Sequence, residues 1–171
     1  METTQELVIL VNEQDEQTGL MEKMEAHRKG LLHRAFSVFI FNAAGEWLLQ
    51  RRALSKYHSG GLWTNACCSH PRIGETLEAA ASRRLQEEMG IAVPLEHRFH
   101  FIYKVALDNE LTEHELDHVF TGRFDGFPAL WEEEAMDWKW MTAEAIEAAL
   151  AKDPDNFTAW FRVVFDRVKN L

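Results

Sequence analysis

The sequence has little of what secreted or membrane proteins need. Only two cysteines occur among its 171 residues, and Cys67 and Cys68 are adjacent. A disulfide between neighbours would be strained, so a disulfide framework is excluded and a reducing compartment is expected. The apolar runs fall well short of the roughly 18 residues of a membrane span. The first residues show neither the basic region nor the apolar core of a signal peptide. We therefore expect a cytoplasmic protein with free thiols and no membrane partner.

Positive charge is also scarce. Lys and Arg total 18 against 28 Asp and Glu, which gives a net charge of -10. Such a chain has no broad attraction for nucleic acid or for an anionic membrane, so any anionic small molecule must be held locally. The cations nevertheless cluster, either as a solvated surface or as a local binding site: Lys23, Arg28, Lys29, Arg51, Arg52, Lys56, Arg72, Arg83 and Arg84.

The hydrophobic pattern predicts one α/β domain over residues 1–171, a length that can bury its own core. Residues 35–41 (AFSVFIF) form a continuous apolar run that is typical of a strand buried on both faces. Further strands are predicted at Leu7–Val11, 46–52 and 137–141, and a hairpin at 97–107 and 110–124. Two helices are predicted near the C-terminus, at 142–152 and 158–169.

The clearest predicted helix follows the segment WTNACCSH. Leu77, Ala81, Leu85 and Met89 recur at every fourth position and form an apolar stripe. Thr76 suits the N-cap position, and Gly90 suits the residue after the last turn. Arg83–Glu87 and Arg84–Glu88 can be surface ion pairs of the i,i+4 type. Alternatively, Glu88 turns inward to bind a metal ion, with a basic residue beside it to meet a phosphate.

Histidines and carboxylates suggest a metal site. In the second strand of the predicted hairpin, Glu113 and Glu115 share one face because side chains alternate. They can be solvent-facing charges. They can also join three of the eight histidines around one divalent ion, and such nitrogen and oxygen donors suit zinc, manganese or magnesium. The proposed ligands come from separate segments: His27, His33, His70, Glu113 and Glu115.

The two cysteines differ in their expected surroundings. A free cysteine is most often a small buried apolar residue. Alternation along an extended segment places Cys68 and His70 on one side, where a protonated or metal-bound imidazole lowers the pKa of the thiol. Cys68 is therefore the better candidate for chemistry.

A family resemblance joins these features. From Ser69 onward the sequence resembles the Nudix box, with Glu75, Arg83, the pair Glu87 and Glu88, and Gly90 in the expected places. Ser69 replaces the leading glycine, and Arg84 replaces the glutamate that follows the arginine. Together with RRALSK, LWTNACCSHP and the ExE strand, the chain resembles the type I isopentenyl-diphosphate isomerases over roughly residues 23–160. This resemblance implies a Nudix-type α/β/α sandwich with a mixed central sheet.

The resemblance also implies a reaction and a set of site residues. Enzymes of this family shift a double bond between isopentenyl and dimethylallyl diphosphate, which requires an acid and a base on opposite sides of the substrate. It implies that Cys68 and Glu115 are that pair, with Glu115, assisted by Tyr103, favoured as the acid and Cys68 as the base. Trp160 would face the developing carbocation. The five metal ligands named above would hold one divalent ion. Glu88 would help to bind magnesium with the diphosphate, alongside Lys23, Arg52, Lys56 and Arg84.

Three other functions compete with this one. A metal-dependent Nudix hydrolase is disfavoured by Arg84 and by the presence of Cys68. A non-catalytic metal-binding domain would not need Cys68 or Glu115. A flavin-dependent isomerase is disfavoured because the chain is too short for a barrel, and no flavin is expected. The expected assembly is a monomer or a weak homodimer.

Overall fold

The computed structural model describes residues 6–171, so the first five residues of the predicted domain lie outside it. The strands are β1 (Leu7–Val11), β2 (Gln17–Glu22), β3 (His33–Phe41), β4 (Trp47–Arg52), β5 (Trp63–Thr64), β6 (Cys67–Ser69), β7 (Glu96–Ala106), β8 (Thr112–Arg123) and β9 (Ala135–Met141). The helices are α1 (Lys23–Lys29), α2 (Leu77–Met89), α3 (Ala143–Lys152) and α4 (Ala159–Lys169), with a short 3₁₀ turn at Pro154–Asn156.

Strand β3 organises the mixed sheet. It runs parallel to β8 over its whole length, from His33 opposite Glu115 to Phe41 opposite Arg123. It also pairs antiparallel with β6, where Ser37 lies opposite Cys68. β7 forms an antiparallel hairpin with β8, and β9 extends the sheet beyond β4. The sheet therefore brings the start of β8 and the end of β6 to the N-terminal half of β3.

Both faces of the sheet are covered by helices, as the continuous apolar run predicts. Phe36, Val38 and Ile40 point into a core shared with α2, whereas Phe39 points to the opposite core, formed with α3 and α4. The side chains of β3 therefore contribute to two apolar cores, because successive side chains of a strand point to opposite faces of the sheet. The predicted α/β/α arrangement is confirmed.

Most predicted elements are present, and α2 has the predicted ends. Thr76 accepts a hydrogen bond from the Ala79 amide through its hydroxyl, and Gly90 ends the helix with φ +65°. A Cβ atom at Gly90 would lie 2.8 Å from Ala129 Cβ, so glycine is required there by space as well as by conformation. The structure adds α1 and β2, which the hydrophobic pattern did not predict. Among the described residues, no helix is long and apolar enough to cross a membrane.

Candidate active site

Four segments deliver the predicted metal ligands to one place. α1 carries His27, β3 begins at His33, and His70 directly follows β6. β8 supplies Glu113 and Glu115 close to its start. The parallel register places His33 beside Glu115, although the two residues are far apart in the sequence. The structure therefore brings together all five residues that the sequence proposes.

The ligand atoms converge closely. His33 Nε2 lies 3.3 Å from His70 Nε2, and His70 Nε2 lies 3.1 Å from Glu115 Oε2. His27 Nε2 is 3.7 Å from Glu113 Oε1. His27, His33 and His70 offer atoms within 4.8 Å of one another, and so do His70, Glu113 and Glu115. Both glutamates are buried, so the interpretation of them as solvent-facing charges is wrong.

The residues fit a bound cation. His27 Nε2 and Glu113 Oε2 are buried without a hydrogen-bond partner among the described residues. His27 Nδ1 lies 2.7 Å from the Lys23 carbonyl, and His33 Nδ1 lies 2.9 Å from the Leu31 carbonyl. These carbonyls can only accept, so both rings donate from Nδ1 and leave Nε2 free for a metal. Unpaired buried polar atoms are costly, and a divalent cation between them would remove that cost.

Electrostatics within the cluster separate the two glutamates. Burial and the neighbouring Glu115 charge raise the pKa of Glu113. Burial also opposes the charge of Glu115, but with no metal bound its contacts with His33, Glu113 and Tyr103 outweigh burial and lower its pKa to about 2. Burial lowers the pKa of His70. The ring of His70 is therefore neutral near pH 7, which is the form that coordinates metals.

Cys68 occupies a polar pocket, and its pKa differs from the sequence expectation. Its thiol donates to Asn65 Oδ1 at 3.1 Å and lies 3.4 Å from Ser37 Oγ. Ser37 in turn donates to Asp117 Oδ2 at 2.7 Å. Burial and the nearby Asp117 charge raise the pKa of the thiol. The expected lowering by an imidazole is wrong, because desolvation and a carboxylate dominate and His70 is not charged.

Aromatic side chains border the two groups predicted to move protons. Tyr103 donates its hydroxyl to Glu115 Oε1, and burial keeps the pKa of this phenol well above its ordinary value. The Trp160 indole N–H donates to Cys68 Sγ at 3.2 Å. The Arg52 guanidinium lies 5.3 Å from the centroid of the Trp160 ring. Tyr103 and Trp160 are therefore in contact with the residues that the sequence assigns to catalysis.

A cavity of about 560 Å³ joins the thiol to a group of cations. Its lining includes Cys68 and His70 together with the four cations expected to bind a diphosphate: Lys23, Arg52, Lys56 and Arg84. Arg52 Nε is buried without a hydrogen-bond partner among residues 6–171. An anion entering the cavity would find this donor free.

Glu75, which precedes α2, and the helix glutamates Glu87 and Glu88 have separate partners. Glu75 forms a two-pronged ion pair with Arg83, whose Nε lies 2.7 Å from Glu75 Oε2. Glu87 accepts from Arg84 Nη1 at 2.8 Å. Glu88 is buried and accepts from the Cys67 thiol at 2.8 Å, so it turns inward as one of the two interpretations of the helix predicted. Arg84 lies 3.5 Å from Glu88, a distance that makes their ion pair the weaker contact.

The sequence did not single out several residues of this site. His58 is buried near His27 and Glu113, and burial lowers its pKa to about 3. Glu134 accepts from Lys56 Nζ at 2.5 Å and so anchors one of the cavity cations. Ser37 lies in the middle of an apolar strand. The signal in the sequence that could have identified Ser37 is its hydroxyl, a polar group within an otherwise apolar run.

The fold and site define a Nudix-domain protein. The NUDIX domain family matches residues 31–161. Among solved structures, the chain is similar to a protein from Deinococcus radiodurans at a TM-score of 0.72 and 23% identity, covering 86% of this chain and 90% of that one. It is also similar to the MutT protein from Methanosarcina mazei, at a TM-score of 0.67 and 21% identity, covering 81% and 94%. At these identities the likeness shows the fold.

Curated relatives show which family of Nudix-domain proteins the chain belongs to. The chain is 53% identical over 161 residues to isopentenyl-diphosphate Delta-isomerase 1 of Aromatoleum aromaticum, covering 94% of this chain and 91% of the relative. It is 50% identical over the same length to isopentenyl-diphosphate Delta-isomerase 2 of Photorhabdus laumondii, also covering 94% and 91%. The chain belongs to the isopentenyl-diphosphate Delta-isomerase family.

Proposed function

We propose that this protein interconverts isopentenyl diphosphate and dimethylallyl diphosphate in isoprenoid biosynthesis. The observation that carries the proposal is the shared cavity, whose lining includes the half-buried thiol of Cys68 and four cations. A diphosphate held by Lys23, Arg52, Lys56 and Arg84 would place its short hydrocarbon chain toward Cys68. Relatives about half identical over nearly the whole chain bear the name of this activity.

The metal requirement follows from the donor set. Residues His27, His33, His70, Glu113 and Glu115 would hold one divalent ion, and three imidazoles suit manganese or zinc as well as magnesium. Glu88, buried beside the cation group, would share a magnesium ion with the substrate diphosphate. When bound, these ions supply positive charge that offsets the buried carboxylates and the diphosphate. Glu115 and His70 would thereby be held in place beside the substrate.

The proton transfers require a donor and an acceptor beside the substrate. A proton is added to one terminal carbon of the alkene, and another is removed two carbons away. Cys68 and Glu115 would perform these steps, with Tyr103 donating to Glu115 and orienting it. The sequence assigns acid to Glu115 and base to Cys68. Burial and Asp117 raise the pKa of the Cys68 thiol, which favours Cys68 as the proton donor and thus the reverse assignment.

The surroundings suit a cationic intermediate. Protonation of the alkene gives a tertiary carbocation, which water would capture. Trp160 is buried and its indole N–H donates to Cys68 Sγ, so the ring lies beside the thiol; an intermediate seated over the ring face would be stabilised by cation–π attraction. A buried aromatic wall also keeps water from the intermediate.

Diphosphate hydrolysis is the alternative reaction for a Nudix fold. Hydrolysis needs several carboxylates of the box to gather metal ions around a water molecule. Here arginines pair with Glu75 and Glu87, and Arg84 occupies a glutamate position, so only Glu88 among the box glutamates is buried against the site. This pairing favours isomerisation.

An isotope experiment tests the proposal. The metal-loaded protein is incubated with isopentenyl diphosphate in D2O, and the products are examined by NMR and mass spectrometry. We expect deuterated dimethylallyl diphosphate without release of inorganic phosphate. Phosphate release without the isomer would favour a hydrolase, and no turnover would favour a non-catalytic metal-binding domain.

A further inference from the structure

A second group of histidines lies on the other face of strand β8. His118 points away from Glu115 and Asp117, because its position has the opposite parity along the strand. His100 lies directly opposite it on β7, and His97 is nearby. The ring centroid of His118 is 5.1 Å from that of His97 and 5.2 Å from that of His100. These three rings belong to neither the cavity nor the proposed catalytic cluster.

A carboxylate orients the central ring. Asp15, in the turn between β1 and β2, accepts from His118 Nε2 at 2.8 Å. Arg34 fixes Asp15 in turn, with Nε 2.7 Å from Asp15 Oδ1 and Nη2 2.7 Å from its carbonyl oxygen. Because an ionised carboxylate only accepts, His118 carries its proton on Nε2 and leaves Nδ1 with a free lone pair.

That lone pair faces a second imidazole nitrogen. His97 Nε2 lies 2.9 Å from His118 Nδ1. Without a metal this is a hydrogen bond. Two nitrogens bound at about 2.1 Å to one tetrahedral Zn²⁺ are about 3.4 Å apart, so a small rotation of the exposed His97 side chain would admit an ion between them. Burial lowers the pKa of His118 although Asp15 opposes that effect, so the ring is neutral at pH 7. His97 and His100 are exposed, which leaves the site open to metal entering from solvent.

We propose that His97 and His118 form a second metal site, which binds an imidazole-preferring divalent ion such as Zn²⁺, Ni²⁺ or Cu²⁺. His118 Nδ1 and His97 Nε2 are the ligands, His100 supplies a third after rotation of its exposed side chain, and water completes the shell. Asp15 is the carboxylate that orients a ligating histidine through its other nitrogen, an arrangement common in zinc proteins. Mg²⁺ is excluded by its preference for oxygen ligands.

The site would tie two parts of the fold together. Asp15 belongs to the β1–β2 turn, where its backbone is left-handed at φ +62°, and the histidines belong to the β7–β8 hairpin. Metal bound there stabilises the folded protein, because the unfolded chain does not hold these groups together. Zn²⁺ is therefore expected to raise the melting temperature through this site.

Metal counting tests the proposal independently of turnover. The full chain is stripped with a chelator and dialysed against Zn²⁺ without substrate, and the bound metal is measured by mass spectrometry. The double variant His97→Gln/His100→Gln should bind one equivalent fewer than the wild-type protein. Both changed side chains are exposed, so folding is retained. The matched control Arg98→Gln, on the same strand and also exposed, should bind as much as the wild type.

Two further variants separate the sites. Glu113→Gln should lose metal from the catalytic cluster and keep the equivalent that depends on His97. Asp15→Asn, which tolerates the left-handed backbone, should weaken that equivalent about ten- to a hundredfold. An equal metal count in the wild type and the His97→Gln/His100→Gln variant would overturn the proposal. The Asp15–His118–His97 chain would then be only a hydrogen-bonded strut.

Discussion

Replacing Tyr103 by Phe would remove one hydroxyl from the site and keep its packing. Tyr103 is buried and stacks on Phe101 with the ring centroids 5.4 Å apart, so the Phe ring fills the same space. Its raised pKa keeps the phenol protonated, and the proton is donated to Glu115. The substitution therefore deletes one hydrogen bond to a carboxylate and leaves no cavity.

The expected effect follows from the strength of that bond. A hydrogen bond to a charged group contributes about 1.5–3 kcal/mol. If Glu115 acts in the transition state, that loss corresponds to about a ten- to a hundredfold lower kcat. The pKa of Glu115 should also rise, since a donor to the ionised form is lost. Isomerase turnover at several pH values, with metal content and melting temperature recorded in parallel, measures both changes.

Thr121→Val on β8 is the matched control. It also removes one hydroxyl from a buried side chain of the same hairpin, where the contact is with Arg98 rather than with the site. Turnover of this variant should stay at the wild-type level. If Tyr103→Phe also kept wild-type turnover with its metal bound, the role of Tyr103 in orienting Glu115 would be refuted.

Three other outcomes are expected. Cys68→Ala should lower turnover by about 10²–10⁴-fold with the fold intact. Cys67→Ala, which removes only the thiol that donates to Glu88, should have a smaller effect, and equal losses would contradict the assignment. Burial raises the pKa of Glu134, but the ion pair with Lys56 lowers it by more. The pKa of Glu134 therefore lies below the ordinary 4.5. The stabilisation lost in Glu134→Gln should be present above pH 4.5 and disappear as the pH falls further, and a pH-independent difference in urea unfolding would refute this. Leu85→Ala in the α2 core should lower the free energy of unfolding by about 2–5 kcal/mol, measured in urea, and a loss below 1 kcal/mol would contradict its full burial.

Local patterns were sufficient for much of the fold. The i,i+4 stripe and the caps of α2 lie within one segment, so they are readable without tertiary information. The same holds for the two faces of β3, because alternation is a property of the strand itself. α1 was missed because it is only seven residues long and depends on Gly30, whose left-handed backbone ends it. Isolated helices of that length are not stable without packing.

The site also contains features that local patterns predicted and features that depend on the whole fold. Alternation placed Glu113 and Glu115 on one face, and the structure brings both into the group of histidines and carboxylates that could hold a metal ion. The protonation of Cys68 was mispredicted because it depends on burial and on Asp117, which reaches it from another strand through Ser37. Desolvation is set by the whole fold, and no spacing in the sequence encodes it. His58 was missed for that reason too.

The parallel pairing of β3 with β8 predicts that the proposed metal cluster assembles late in folding. His33 and Glu115 become neighbours only when the long chain between them has closed, and such distant contacts form slowly because closure costs entropy. A partly folded chain that still lacks this pair has no complete set of ligands. Metal uptake by the proposed cluster would therefore report that β8 has joined the sheet. A slip of one residue in its register would abolish binding and would also turn Val119 and Phe120 away from their cores, so the same pairing sets both the site and the packing.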